Sequence, residues 1–251
     1  MKAVIIGLND QHSLDMISAF VLGWNDSRNL HNPKNLNAID SDECFLMETT
    51  DLYIGLLYAF NHSIPLAIKS YSGANTVYSQ LLTDSNFSDF YPNVTLFMPT
   101  GANTTGEIYT NPIMKNMCIT GAGDLENETA DNVEFISHDP IYNDVQDYSS
   151  FSNPYIAAQI LFIAESCNCS IWEARLRAMQ TSSESGFFHT TNGYGFINIT
   201  EAIQFSFEDF QEKLSDKKYK AKNYKPFFLK QENNYKMEKK ELRSFNHKTL
   251  C

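Results

Sequence analysis

The sequence predicts an α/β fold in which a mostly parallel β-sheet carries helices on both of its faces. Two observations indicate this class. Short apolar runs, which are typical of buried strands, alternate along the chain with segments whose apolar residues recur at helical spacing. Several of these runs also end in loops rich in Gly and Ser, such as Ser70-Tyr71-Ser72-Gly73. Because ligands of parallel α/β sheets bind beyond the carboxyl ends of the strands, we expect functional residues in such loops.

The first half of the chain supplies most of the predicted sheet. The apolar run over residues 3–8 predicts a buried parallel strand, and a helix over residues 14–22 follows His12 directly. Residues 25–43 are polar and rich in turn formers, which predicts a loop. A second helix and three further strands are predicted at about residues 51–60, 64–68, 94–98 and 117–120.

A strongly apolar helix is predicted after Asp147. Residues 154–165 are apolar on nearly every side, which indicates a helix that passes through the core. Pro154 is suited to the first turn, where its missing N–H costs nothing. Ser150 lies just before this helix, where free backbone N–H groups and partial positive charge favour a developing oxyanion. A serine that only starts the helix is the alternative interpretation.

The order of the following segments resembles one enzyme family. Ser170-Ile171-Trp172-Glu173 is a capping box that opens a helix to about residue 180. Gly193-Tyr194-Gly195-Phe196-Ile197-Asn198 then predicts a strand, and another helix begins near residue 200. Together with Ser150 and Pro154, this order resembles the subtilisin-like serine peptidases (subtilases), strongly over residues 148–203 and more weakly over residues 12–103.

The resemblance implies a three-layer subtilisin-like fold and a serine endopeptidase that acts on peptide or protein substrates. It implies neither a cofactor nor a metal. Ser150 occupies the position of the family's nucleophile. The match departs from the family at Tyr148, which replaces a glycine, at Ser149, which replaces a threonine, and at Asn153, which precedes Pro154.

Residues further upstream fill other positions of the family's site. Asn103 follows a predicted strand, one residue later than in the family, and its amide is expected to donate to the oxyanion. An asparagine that only shapes a turn is the alternative. Residues 64–73 resemble the family's substrate-binding strand. On this resemblance Ser70, Ser72 and Gly73 are predicted to pair with an extended peptide.

The resemblance makes His12 the general base for Ser150, although a helix-start histidine without a catalytic role is the alternative. Only 11 residues precede His12, which leaves no room for the family's acid-bearing strand. Either that strand and its acid lie on a segment outside this sequence, or the chain is a degenerate subtilase. Asp10 is too near in sequence to reach the imidazole easily, and a second alignment places Ile6 at the acid. We therefore expect a serine endopeptidase with an incomplete triad and weak or lost activity. The alternative is a non-catalytic subtilase-like protein for interaction or assembly.

Charge divides the chain into an acidic body and a basic tail. The whole chain carries −11, whereas residues 211–251 hold 12 Lys and Arg against 5 Asp and Glu. Residues 1–210 hold 7 basic and 25 acidic groups, and such an acidic body repels nucleic-acid phosphates. We expect a subtilase-like domain over residues 1–210 and a tail, 211–251, that lies on this body or binds a protein partner.

Cysteines and targeting segments add little to this assignment. The five cysteines are scattered, and Cys167-Asn168-Cys169 is too close for an ordinary metal half-site, so reduced and mostly structural thiols are expected. Residues 1–8 lack the longer apolar core of a secretory signal. Since no apolar stretch approaches transmembrane length, we expect no membrane association, and the compartment stays open.

Overall fold

The computed structural model describes residues 1–69, 91, 93–99, 116–122, 133–138, 140–141, 149–184 and 193–207. Its strands are β1 Ala3–Gly7, β2 Cys44–Glu48, β3 Leu66–Lys69, β4 Thr95–Pro99, β5 Met117–Ala122 and β6 Phe135–Ser137. Its helices are α1 Gln11–Leu30, α2 Leu52–Asn61, α3 Ser149–Cys167, α4 Ile171–Thr181 and α5 Ile199–Gln204.

The strands form one parallel sheet in the order β2-β1-β3-β4-β5-β6. The chain moves from β1 outward to β2 and then back across β1 to β3. Since crossovers between parallel strands are right-handed, these opposite moves place α1 and α2 on opposite faces of the sheet. The predicted α/β class, a mostly parallel sheet with helices on both faces, is confirmed.

Helix α2 covers one face of the sheet. Its buried side chains join residues of β1, β3 and β4 in an apolar cluster, which we call the α2 face: Leu52, Leu56, Ala59, Val4, Ile6, Ala67, Leu96 and Met98. The approach is closest at Gly55, where any Cβ would collide with the side chain of Ile6. A glycine inside this helix therefore reflects the short distance between helix and sheet.

Helices α1 and α3 pack together on the other face. Gly23 of α1 lies against Tyr155 of α3, so close that a Cβ at Gly23 would be 2.6 Å from the Tyr155 carbonyl oxygen. Trp24 packs edge-on against Phe162 with ring centroids 5.3 Å apart, and the Tyr155 hydroxyl donates to Asp26 at 3.1 Å. These long-range contacts extend α1 to residue 30, so the prediction of a loop from residue 25 is wrong for residues 25–30.

Helix α3 passes through the core, as its apolar sequence predicts. Ile160 is fully buried and Leu161 nearly so. The helix begins at Ser149, so Ser150 lies inside the first turn rather than before the helix. Pro154 lies in the second turn rather than the first. Its missing N–H leaves the carbonyl of Ser150 without the donor that a regular helix would supply.

A buried ion pair links the start of β6 to α4. Glu134 and Arg175 are both almost completely buried. The Nε of Arg175 donates to Glu134 Oε1 at 2.8 Å, and a terminal nitrogen of its guanidinium donates to the carbonyl of Met117 at 2.8 Å. Two charges can remain in the core here because each is hydrogen-bonded to the other or to the backbone.

The glycine-rich segment at residues 193–195 pairs beside β6. Tyr194 donates its N–H to the carbonyl of Glu134 at 2.8 Å. Gly193 has a φ of +58°, and any Cβ there would collide with the carbonyl of Val133, so the position requires glycine. The predicted strand over residues 193–198 is wrong: only a single bridge forms at Gly193, and Asn198 caps α5.

Residues Met1–Phe205 form one compact unit. The second unit, Ser206–Cys251, is described only at residues 206–207. The basic tail, 211–251, lies outside the described residues, so the predicted domain boundary near residue 210 stays a prediction. In the part of the chain that the structure describes, every helix is too short or too polar to span a membrane.

Candidate active site

Two helix N-termini lie at the carboxyl edge of the sheet. β1 ends at Gly7, and α1 begins shortly afterwards at Gln11. The first turn of α3 lies at the end of β6, since the hydroxyl of Ser152 donates to the carbonyl of Ser137 at 2.8 Å. This edge is where parallel α/β folds bind their ligands.

Ser150 is the partly exposed residue in the first turn of α3. Its neighbours Ser149, Phe151, Ser152 and Asn153 are all buried, whereas Ser150 is accessible to solvent. It lies at the N-terminus of a 19-residue helix. Backbone N–H groups without helical partners and the positive end of the helix dipole stabilise negative charge there.

His12 lies in the first turn of α1, at a helix start as predicted. The carboxylate of Asp10 caps this helix by accepting the N–H of Ser13 at 2.9 Å. The imidazole packs at a tilt against the ring of Phe151, with centroids 4.9 Å apart. Because Phe151 directly follows Ser150, the fold brings the predicted base to the residue next to the predicted nucleophile.

Asn153 ties the start of α3 to three strands. Its amide nitrogen donates to the carbonyls of Lys69 at 3.2 Å and Phe97 at 3.3 Å, and its oxygen accepts from the hydroxyl of Thr120 at 2.8 Å. The side chain is fully buried, so these bonds replace hydration that it cannot obtain. A residue that departs from the family pattern thus holds Ser150 in position relative to β3, β4 and β5.

Solved structures of subtilisin-like serine proteases resemble most of the chain. The MycP3 protease of a type VII (ESX-3) secretion system matches with a TM-score of 0.53 and 9% identity, over 82% of this chain and 83% of its own. The fold is subtilisin-like. MycP1 from Mycobacterium smegmatis matches with a TM-score of 0.51 and 10% identity, over 82% of this chain and 80% of its own.

A third subtilisin-like neighbour is the epidermin leader peptide processing serine protease (EpiP) of Staphylococcus aureus. It matches with a TM-score of 0.50 and 9% identity, over 81% of this chain and 75% of its own. No protein-family model and no curated protein matches the sequence. At these identities the likeness establishes the subtilisin-like fold alone.

The strand before the histidine helix of this subtilisin-like fold ends without a carboxylate. The last residues of β1 are Ile6 and Gly7, and Ile6 is buried in the α2 face. Asp10 is the first carboxylate after β1. Its hydrogen bond from the backbone of Ser13 lowers its pKa, and the nearby His12 acts in the same direction. Asp10 is therefore ionised at neutral pH and engaged as a helix cap.

The remaining predicted site residues, Asn103, Ser70, Ser72 and Gly73, lie outside the described residues. The described strands that precede them in the chain, β3 and β4, are neighbours in the sheet. Their roles as oxyanion donor and substrate-binding residues stay predictions.

Lys69, the last residue of β3, is a buried charge that the sequence analysis did not single out. Only 1% of it is exposed, and burial lowers its pKa to about 8. Its register partner Ile6 belongs to the α2 face, so the Lys69 side chain lies on the opposite face of the sheet from α3. A lysine at a strand end is usually solvated, and no sequence pattern marks this one as buried. Within the described ranges, no cluster of three or more His, Cys, Asp or Glu residues could hold a metal ion.

Proposed function

We propose that this chain is a divergent subtilisin-like serine endopeptidase in which Ser150 is the nucleophile and His12 the general base. The observation that carries the proposal is the 4.9 Å contact between the imidazole of His12 and the ring of Phe151. It joins two helix starts that are distant in the chain next to a partly exposed serine. A nucleophile and a base in this arrangement are what acyl transfer from a peptide requires.

The proposed reaction follows the steps of serine peptidases. His12 takes the proton of the Ser150 hydroxyl while its oxygen attacks the carbonyl carbon of the scissile peptide bond. The tetrahedral oxyanion forms near the N-terminus of α3, where backbone N–H groups and the amide of Asn103 stabilise it. His12 then gives the proton to the leaving amine, and a water molecule activated by the same imidazole hydrolyses the acyl-enzyme.

The missing carboxylate limits the expected rate. In complete triads the acid holds the imidazole in the reactive tautomer, and loss of that function costs about 10⁴-fold in turnover. β1 ends in Ile6 and Gly7, and Asp10 caps α1 through the N–H of Ser13. We therefore expect peptide hydrolysis several orders of magnitude slower than that of a complete triad.

A non-catalytic subtilase-like protein for interaction or assembly is the second candidate. It is favoured by the same lack of an acid at the end of β1 and by Tyr148, which stands where the family has a glycine. Peptide or protein ligands would suit both candidates, since a parallel sheet of this kind can present an edge to an extended chain. The two candidates differ in whether Ser150 reacts.

Labelling by a fluorophosphonate probe distinguishes the candidates. We expect the wild-type chain to label slowly at one site, Ser150→Ala to abolish labelling, and His12→Gln to slow it further. Ser149→Ala and His138→Gln are matched controls, since Ser149 precedes Ser150 in the same turn and His138 is an exposed histidine at the end of β6. Both controls should label at the wild-type rate.

The outcomes separate three cases. Equal background labelling of the wild-type chain and Ser150→Ala would exclude the peptidase and favour the non-catalytic candidate. Loss of labelling in His138→Gln but not in His12→Gln would show that His138, and not His12, is the general base. Rapid, stoichiometric labelling that Ser150→Ala abolishes would show that another group replaces the aspartate.

A further inference from the structure

The C-terminus of α3 brings two cysteines together outside the candidate active site. Asn168 has a φ of +54°, its N–H donates to the carbonyl of Glu165 at 3.3 Å, and the N–H of Cys169 donates to the carbonyl of Ala164 at 3.0 Å. This pair of bonds, with a left-handed residue between, is the Schellman ending of a helix. The chain therefore reverses between Cys167 and Cys169.

This reversal gives the two cysteines a spacing that a disulfide can bridge. One left-handed helical step has the mirror-image dimensions of an α-helix, so the Cα atoms of Cys167 and Cys169 are about 5.4 Å apart, from a radius of about 2.3 Å and a rise of about 1.5 Å per residue. Disulfides need about 4.4–6.8 Å. The two thiols interact with each other in the reduced protein, and both residues are partly exposed.

The surroundings of the two thiols make them chemically unequal. The hydrogen bond from Cys169 lowers the pKa of Cys167 to about 7, and the charges of Arg177 and Lys34 act in the same direction, against burial and Glu173. The same hydrogen bond and burial raise the pKa of Cys169. Cys167 is thus partly ionised at neutral pH and is the readier nucleophile, whereas Cys169 holds its proton.

We propose that Cys167 and Cys169 form a thiol–disulfide exchange site for small, low-molecular-weight disulfides. The thiolate of Cys167 attacks one sulfur of R–S–S–R, forms a mixed disulfide with that half, and releases the other half as R–S⁻. Cys169 then passes its proton to the released R–S⁻ and attacks the Cys167 sulfur, which releases the second R–S⁻ to take up a proton from water. The two protein thiols are oxidised by two electrons, the small disulfide is reduced to two thiols, and every step is reversible.

The other described thiols are poor competitors in this reaction. Cys44 and Cys118 are buried, and burial raises the pKa of Cys44 to about 12 and that of Cys118 above its usual range. A thiolate is the attacking species, so both should stay unmodified near pH 7. Cys251 lies outside the described residues, and a Cys251→Ser background removes it from the experiment.

Mass spectrometry after treatment with oxidised glutathione tests the site. The folded Cys251→Ser chain is incubated with oxidised glutathione at pH 7, its remaining thiols are blocked with iodoacetamide, and the peptides are analysed. We expect one product, two hydrogens lighter, in which Cys167 is linked to Cys169. In Cys169→Ser, Cys167 should instead retain a glutathione adduct, because the second attack is missing. In Cys167→Ser the rapid reaction with oxidised glutathione should be lost.

The rate supplies an independent readout. At pH 7 a thiol of pKa about 7 is about half ionised, against about 3% for a free cysteine of pKa about 8.5. Because its lower basicity also reduces its nucleophilicity, Cys167 should react about three-fold faster than a free cysteine peptide. Two separate glutathione adducts without an internal link would overturn the proposal. So would a Cys167→Ser chain that reacts as fast as its parent, or a Cys169→Ser chain without an adduct.

Discussion

Replacement of Asn153 tests the link between the nucleophile helix and the sheet. Asn153→Ala removes three hydrogen bonds, to the carbonyls of Lys69 and Phe97 and from the hydroxyl of Thr120. A hydrogen bond stabilises a protein by about 1 kcal/mol net, and a buried partner left unsatisfied costs about 1–3 kcal/mol. Because Asn153 is fully buried, we expect a loss of about 3–5 kcal/mol in the free energy of unfolding.

Urea unfolding and thermal melting measure this loss. For a chain of this size, about 3–5 kcal/mol corresponds to a fall in melting temperature of roughly 6–20 °C. Asn25→Ala is the matched control, since the Asn25 side chain makes two hydrogen bonds with the backbone of Ile39 at a half-buried site. It should cost only about 1–2 kcal/mol.

A nearly isosteric change separates hydrogen bonding from packing. Asn153→Asp puts a carboxylate oxygen against the carbonyl oxygens of Lys69 and Phe97, which raises the pKa of the new acid in the folded state. Its destabilisation should therefore be greatest at neutral pH and should lessen as the pH falls through that raised pKa. If Asn153→Ala and Asn25→Ala unfold at the same urea concentration, the three bonds do not hold α3 to the strands and the reasoning is refuted.

Two further predictions concern helix packing and a buried charge. Gly23→Ala should destabilise the protein by about 1–3 kcal/mol in urea unfolding, because its Cβ would lie 2.6 Å from the Tyr155 carbonyl oxygen. This loss outweighs the helix preference of alanine over glycine, which is about 1 kcal/mol. The exposed control Ser18→Ala should not destabilise the protein, and equal stability of the two variants would contradict the close approach. Burial lowers the pKa of Lys69 to about 8, so the unfolded state binds more protons between pH 8 and 10.5 and wild-type stability should rise across that window relative to Lys69→Met. If the free energies of unfolding of the two proteins changed in parallel with pH, burial would not lower the pKa of Lys69.

The sheet class follows from the sequence because its central strands are continuous apolar runs. The edge strands were not predicted, for physical reasons. β2 is short and only partly buried, and its run of four apolar residues directly follows the polar, turn-rich residues 25–43. β6 has three residues and follows Glu134, a charge that enters the core only because Arg175 meets it there. A partner from a distant helix is not visible in the local sequence.

The end of α1 was misjudged for a related reason. Gly23, Asn25 and Asp26 are poor helix formers, and their cluster predicts a helix end. Their helical conformation depends on α3 and on the loop after α1: Gly23 admits the backbone of Tyr155, and Asp26 accepts its hydroxyl. Tertiary contacts that satisfy polar and small residues override local propensity here.

The candidate site was partly predictable. A helix-start histidine and a serine before an apolar helix can be identified from spacing and helix chemistry. Their meeting through the ring of Phe151 depends on the packing of α1 against α3, which the sequence does not specify. The role of Asn153 was not predicted, because a mismatch to a family pattern gives no sign of the three carbonyl and hydroxyl groups that surround it.

The distance between the imidazole Nε2 of His12 and the Oγ of Ser150, measured in an X-ray structure, tests the central claim most directly. The contact of His12 with Phe151 predicts that the two atoms lie about 3–5 Å apart, a hydrogen bond or the slightly longer contact of an empty site. A distance of more than about 10 Å, well beyond any hydrogen bond, would remove His12 from the site and contradict the proposed peptidase.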